Sequence, residues 1–393
     1  MIQLIPLCMV LFLVQGLAAL PWLRALSYET FRARLPFYGK VVGITALCGI
    51  PFAFILQGNS DPDVVALWGR FYGSVLLFQL GIDLFVLAFF SMLTFWSKGG
   101  AVALAAFQEG VRQPMFWLLT FLGTLGMVVS IVIPYFTFGE DVKMVKEITY
   151  ALTMMIPAIF GVISSSVSVS EEIEGRTAVT LLSKPITRRD FLLGKYLGIL
   201  LAAMGMTMSM GYVLVWVHLA KFNYDFMPGV TQTPPDPEWL SSLLASTYER
   251  TTPGDLLRGF GLWLRDFDEA FPGLVIGFGQ VATLLAVSVA LATRLPMVVN
   301  ISMCLVVYLL GHLAPVMTEV SQGLALVQFV AQLFELLLPG LPFFDVSTAI
   351  VRETPPDPTR YALYTLNVAI YALIYTTIAL LGGLILFEDR DVA

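Results

Sequence analysis

The chain has 393 residues, of which 58% are hydrophobic and 13% charged, with a formal net charge of −6. A soluble chain normally carries about 25% charged residues, and the mean hydropathy of +0.82 excludes an ordinary water-soluble globule. The acidic balance also argues against a nucleic-acid partner, which calls for a basic face.

In chain order, the apolar runs at 1–20, 40–56, 72–95, 116–138, 149–168, 197–219, 271–292, 296–316 and 361–387 are candidate spans. About 20 mainly apolar residues cross a bilayer as a helix, so the expected fold is all-α: a polytopic helical membrane protein with about nine spans. The first run lacks a basic start and a small-x-small cleavage site, and is expected to be a retained helix, not a signal peptide. Cys8, Cys48 and Cys304 all lie inside apolar runs. That is where packing cysteines sit, and neither a disulfide framework nor a metal site is expected.

The loop after the first run carries Arg24, Arg32, Arg34 and Lys40 against Glu29, whereas the loop 57–71 carries Asp61 and Asp63 with Arg70. Basic loops face the cytoplasm, which puts the amino terminus outside and the carboxyl terminus inside. Trp22, Trp68, Trp96 and Trp117 sit near span ends, as interfacial aromatics do.

Two regions are expected. Residues 1–100 form a three-span region ending at a break at 97–100, and residues 101–393 form a six-span core. The core opens on 101–117, where Gln108, Glu109, Arg112 and Gln113 give a polar side opposite Val102, Leu104, Ala105 and Val111. Such a helix lies along the inner membrane surface before the chain turns in at Trp117. The segment 170–198, SEEIEGRTAVTLLSKPITRRDFLLGKYLG, is the longest charged stretch on the cytoplasmic side. Glu171, Glu172 and Glu174 lead it, Gly175 breaks, 177–182 can wind into a short helix, and Pro185 ends it. Thr187 then offers a cap to the next helix. A short helix held between two spans suits a groove on a cytoplasmic partner; a solvated connector is the plainer reading. The outer loops 220–270 and 317–360 differ. The first is expected to be a small folded cap or a pair of interfacial helices, the second a partial re-entrant segment or a peripheral amphipathic helix.

Asp83 and His312 are polar side chains inside apolar runs. An intramembrane acid is a functional-site hypothesis and makes an ion-coupled secondary transporter the rival reading, although a packing role suits both residues better. Met204, Met206, Met208 and Met210 read as adaptable packing. Ser164, Ser165, Ser166, Ser168 and Ser170 either line a polar path or bond back to their own helix. With only His218 and His312, there is no HExxH pair, and no GxSxG elbow either, so a membrane-embedded enzyme is disfavoured.

The segment 170–198 resembles the cytoplasmic loop of type-2 ABC exporter permeases, the membrane subunits of ATP-binding-cassette exporters. That family carries an acidic E-E-x-x-G-T-like start, a leucine pair, an S-K-P-x-x-R stretch and a closing G-K. The matching residues are Glu171, Glu172, Glu174, Gly175, Thr177, Leu181, Leu182, Ser183, Lys184, Pro185, Arg188, Arg189, Gly194 and Lys195. Arg176 is inserted between the Gly and the Thr. EGVRQPMFW at 109–117 looks like the family's amphipathic lead-in helix, and LFEDRDV at 386–392 is similar to its tail, with Glu388 and Asp389 reducing the basic character.

The resemblance covers 101–393. It implies a permease subunit of the cytoplasmic (inner) membrane, a second permease subunit beside it, and a cytoplasmic ABC ATPase as partner. Glu171, Glu172, Glu174, Gly175, Arg176, Thr177, Leu181, Leu182, Lys184, Pro185, Arg188 and Arg189 would then contact that ATPase. No G-x-x-x-x-G-K-[ST] run for cradling phosphate occurs in the chain. No cofactor is expected in it, and ATP and Mg would be bound by the partner. A membrane anchor that recruits an ATPase without moving a substrate is the further alternative.

Overall fold

The computed structural model describes residues 3–25, 31–59, 61–135, 140–174, 186–226, 236–247, 251–320, 325–346 and 357–388. Among these residues the structure is helical, with no strand. In order, the helices are α1 (Leu4–Ala18), α2 (Leu20–Ala25), α3 (Phe31–Gln57), α4 (Pro62–Phe95), α5 (Ser97–Arg112), α6 (Pro114–Ser130) and α7 (Asp141–Ser165). A π-helical segment, Ser166–Glu171, continues α7 into α8 (Glu172–Glu174). Then follow α9 (Arg188–Tyr224), α10 (Glu238–Thr247), α11 (Thr252–Ala292), α12 (Met297–Val320), α13 (Ala325–Leu337), a 3-10 turn (Leu341–Phe344) and α14 (Pro358–Glu388). Eight stretches among the described residues are long and apolar enough to cross a membrane; a ninth counts if α5 and α6, bent by 60° at Gln113, form one broken span. The all-α polytopic architecture is as expected.

The helix ends differ from the hydropathy limits. The break expected at 97–100 falls one residue earlier, at Trp96 (φ −142°, ψ 65°), and 97–100 is the first turn of α5. The run 116–138 does not stay helical, because α6 stops at Ser130 and Pro134 follows, lacking the N–H needed to continue. The run 271–292 is only the end of α11, which is helical from Thr252 and carries Pro272 inside it. The expected cap 220–270 is therefore mainly helix: the end of α9, the short α10, and the first turns of α11. Hydropathy marks the bilayer, whereas the helix continues as long as each N–H finds its carbonyl.

The chain forms two compact units, Met1–Ser91 with Phe226–Glu269, and Met92–Asp225 with Ala270–Ala393. In the first, α1 packs along α3, with Leu4, Cys8, Ala53, Leu56, Val65 and Leu256 in one buried cluster. Gln15 of α1 and Gln79 of α4 share a hydrogen bond in the same unit. Arg70 pairs with Asp266, and Arg258 holds Asp236 through two bonds of 2.8 and 3.1 Å.

The second unit is built around α9, which packs against α5, α6, α7 and α14. Leu192, Tyr196 and Ile199 of α9 share a core with Leu285, Ala286 and Val289 of α11 and Leu380 of α14. At the other end of α9, the fully buried Lys221 donates to the Ile131 carbonyl (3.2 Å) and pairs with Asp225 at 3.2 Å and Asp141 at 3.9 Å. One amine thereby ties together the ends of α6, α7 and α9.

Loop 317–360 contains α13, packed beside α12, and the 3-10 turn, in keeping with a segment too broken to span. Three tyrosines on one side of α14 fasten its backbone. The Tyr375 hydroxyl donates to the Leu337 carbonyl (2.9 Å), that of Tyr371 accepts from the Gly340 N–H (2.8 Å), and that of Tyr364 donates to the Phe343 carbonyl (2.7 Å). Each bond satisfies a backbone group that no helix satisfies. Tyr371→Phe is expected to loosen 338–346 by about 1 kcal/mol, read as roughly fivefold faster amide exchange in that segment.

Candidate functional site

The best-connected polar site lies in the second unit, where the 170–198 segment leaves and rejoins the bundle. Thr187 caps α9 in a closed capping box. Its Oγ1 accepts from the Asp190 N–H (3.1 Å), and Asp190 Oδ2 accepts from the Thr187 N–H (3.2 Å). This is the cap read from the sequence. Asp190 Oδ1 also accepts the Trp96 indole N–H at 2.6 Å, which fastens the break before α5 to the start of α9.

The next two turns of α9 read Gly194-x-x-x-Gly198. A Cβ added at Gly198 would lie 2.3 Å from the Ala103 carbonyl oxygen, and one at Gly194 would lie 2.8 Å from that of Gly99. The backbones of α5 and α9 therefore cross where only glycine fits, the small-xxx-small contact by which membrane helices approach closely. Between the two glycines, Lys195 projects into the bundle with its side chain 7% exposed.

Lys195 is the hub. Its Nζ donates to Glu172 Oε1 at 2.6 Å, to Ser168 Oγ at 2.8 Å and to Glu109 Oε2 at 3.4 Å. Ser168 in turn donates to Glu109 Oε2 at 3.2 Å. A buried ammonium is tolerated when its charge is paired and its protons are all used, and here both conditions hold. The network joins α5, the π segment, α8 and α9, so a displacement of Glu172 is felt directly at α5 and α9.

A second fastening runs to the end of the chain. Arg188 Nη1 donates to the Phe387 and Glu388 carbonyls at 2.6 and 2.8 Å, and its guanidinium lies 5.4 Å from the Phe387 ring centre. Arg294 Nε donates to the Leu386 carbonyl at 2.7 Å. The last carbonyls of a helix lack intrahelical partners and favour cations; two arginines supply both for α14. Beneath them Val169, Ile173, Phe191, Ala292 and Phe387 form a buried apolar cluster.

The alternating serines hold this corner together. Ser165 Oγ and Ser288 Oγ are 2.7 Å apart, and Ser166 accepts from Asn300 Nδ2 at 2.8 Å. Ser170 donates to the Leu295 carbonyl at 3.1 Å. Ser165 and Ser166 also bond back to the Val162 carbonyl, the second of the two roles considered for these serines. Met206 and Met210 are fully buried in the core.

The structure thus brings Glu109, Glu172 and Arg188 of the sequence-predicted site into or beside one network. Glu171 and Glu174 belong to the same stretch of backbone. Arg189, Arg112 and Trp117 are exposed. Gly175, Arg176, Thr177, Leu181, Leu182, Lys184 and Pro185 lie outside the described residues, as does the short helix expected at 177–182. Asp83 belongs to the other unit, and its Oδ1 has no hydrogen-bond partner among the described residues. His312 bonds the Tyr308 carbonyl one turn back through Nδ1 (3.0 Å) and stacks near that ring, a local packing role. No group of three or more His, Cys, Asp or Glu side chains is arranged for a metal ion among the described residues. Asn300, the Trp96–Asp190 bond and the Gly194/Gly198 crossing were not anticipated. The glycine spacing was the one signal that marked any of them.

The arrangement ties Glu172, before the charged loop, and Arg188, after it, to α5, α9 and α14 by hydrogen bonds. A sequence model described as "ABC-2 family transporter protein" matches residues 100–392. No curated protein sequence matches the chain. The match covers most of the chain and includes all of the Lys195 network, and the chain therefore belongs to the ABC-2 family of transporter proteins as a polytopic membrane permease.

Proposed function

We propose that the chain is the translocating subunit of an ABC exporter in the cytoplasmic (inner) membrane, driven by a separate cytoplasmic ATPase subunit that binds ATP and Mg. The segment from Glu171 to Arg189 is the ATPase contact, and a second permease subunit, identical or related, completes the pathway. The single observation that carries this reading is the Lys195 network. Both ends of the charged loop, Glu172 before it and Arg188 after it, are anchored to transmembrane helices by charged hydrogen bonds. A solvated connector needs no such anchoring; a lever does. Force applied to the loop passes through Glu172 and Lys195 to α5 and α9, and through Arg188 to α14. The carboxyl terminus, which follows α14, lies on the same cytoplasmic side.

The test is co-purification with a candidate ABC ATPase, comparing the wild-type chain with a variant in which Glu171, Glu172 and Glu174 are Ala. The wild type is expected to hold the ATPase, and the variant to lose it while still inserting. If the ATPase binds neither chain, or binds both equally, the loop is not the contact.

A further inference from the structure

The segment between α7 and the charged loop is wound as a π-helix, Ser166–Glu171. A π segment inside an α-helix contains one residue more than the α-helix would need, and it occurs most often at functional sites. Here the extra residue is held open by polar contacts to four other elements, α5, α9, α11 and α12. Asn300 of α12, fully buried, donates to Ser166 Oγ (2.8 Å) and to the Ser288 carbonyl (3.1 Å). Ser168 sits in the Lys195 network. Ser170 reaches the carbonyls of Leu295 (3.1 Å) and Ala292 (3.4 Å) at the end of α11. Alternate residues 166, 168 and 170 would diverge around an α-helix by about 200° per step; in this wider turn all three are fully or almost fully buried and bonded.

Resting on the proposed coupling role, we infer that Ser166–Glu171 is a one-residue register device and that Asn300, Ser166 and Ser170 are positioning residues for ATP-driven transport. They hold the π turn, and the π turn sets Glu172 against Lys195. Moving or resolving the extra residue rotates the chain beyond it by about one residue, roughly 100°, which withdraws Glu172 from Lys195 and turns the loop. The element therefore has two discrete arrangements, as a switching segment requires.

Deletion of Val167 gives an unusual expectation. In a plain α-helix it would rotate everything downstream, whereas here it removes the surplus residue and leaves Glu172 in register. Val167 is half-buried and apolar, between the serines that bond. Asn300→Leu serves as a second variant of unchanged length. It leaves Ser166 bonded to the Val162 carbonyl (2.7 Å) and Ser165 to Ser288 (2.7 Å).

The experiment measures three things on the chain assembled with its ATPase: co-purification, ATP turnover, and amide exchange over 166–172 with and without ATP plus vanadate. The deletion variant is expected to insert and to bind the ATPase as the wild type does. It should exchange 166–172 more slowly, lose the nucleotide-dependent change there, and turn over ATP about tenfold more slowly, within the range of coupling that packed networks transmit. Asn300→Leu should move turnover and exchange without moving association. Wild-type turnover and wild-type exchange changes in both variants would overturn the inference. So would a deletion variant that no longer inserts, because the surplus residue was then not surplus. If no ATPase binds even the wild type, the coupling reading fails. The register claim is then judged on the chain alone, where the deletion must still slow exchange over 166–172.

Discussion

Replacing Lys195 with Met is expected to disconnect the Glu172 end of the charged loop from α5 and α9 while leaving the helices inserted. The substitution keeps a long unbranched side chain, one atom shorter than Lys, and removes its charge. Glu172 and Glu109 then face each other across Ser168 with no cation between them. Removing one partner of a buried ion pair costs about 3–5 kcal/mol. The lower end applies here, since Glu172 retains 25% and Glu109 44% side-chain exposure. About 3 kcal/mol raises the frequency of local opening by roughly two orders of magnitude, and amide exchange over 168–174 would report it. Adding Glu172→Gln and Glu109→Gln to Lys195→Met removes every charge of the network. A buried ion cluster replaced whole is often neutral for stability, so the triple variant should recover wild-type exchange. It should not recover ATP-driven transport, because neutral side chains no longer transmit the displacement of Glu172. Stability and coupling would then separate in one series.

The second large effect is expected at the α5–α9 crossing. Gly198→Val places a Cβ 2.3 Å from the Ala103 carbonyl and further methyl groups beyond it. Neither backbone can retreat without opening the contact, and overpacking of this kind costs about 3 kcal/mol or more. Displacing α5 also draws Glu109 away from Lys195 and strains the Trp96–Asp190 bond. The expected result is a thermal midpoint lowered by several degrees, on the order of 2–4 °C per kcal/mol, together with faster exchange along α5. Gly382→Val on α14 is the matched control. No atom lies within 4 Å of its added Cβ, and the expected change is within about 0.5 kcal/mol.

The spans were legible in the sequence because membrane solvent leaves the backbone no alternative to a helix; their ends were not. The exception is the start of α9: the hydropathy run begins only at Leu197, but the cap read at Thr187 placed the start at Arg188, where the helix begins. The early part of α11 is charged and lies outside every apolar run, but it propagates from Thr252 without a break.

The site was half legible. Acids before the loop and arginines after it lie in one charged stretch of sequence, and the reading grouped them as one segment for that reason. The Lys195 hub joins residues 109, 168, 172 and 195, and no local pattern announces pairings across 86 residues. Lys195 itself had been noted only as the end of a motif, and Trp96 only as an interfacial ring. Asn300 gave no signal at all: a single amide early in an apolar run looks like packing until its bonds to Ser166 and Ser288 are seen.

The central claim is that the chain between Glu172 and Arg188 meets a cytoplasmic ABC ATPase. The most direct measurement is photo-crosslinking from a benzophenone side chain placed at Arg189, which is exposed beside the loop, and separately at Glu140, exposed at the start of α7. Capture of the ATPase from Arg189 and not from Glu140 is the predicted result. Capture from Glu140, or none from Arg189 in an assembled complex that hydrolyses ATP, would contradict the account.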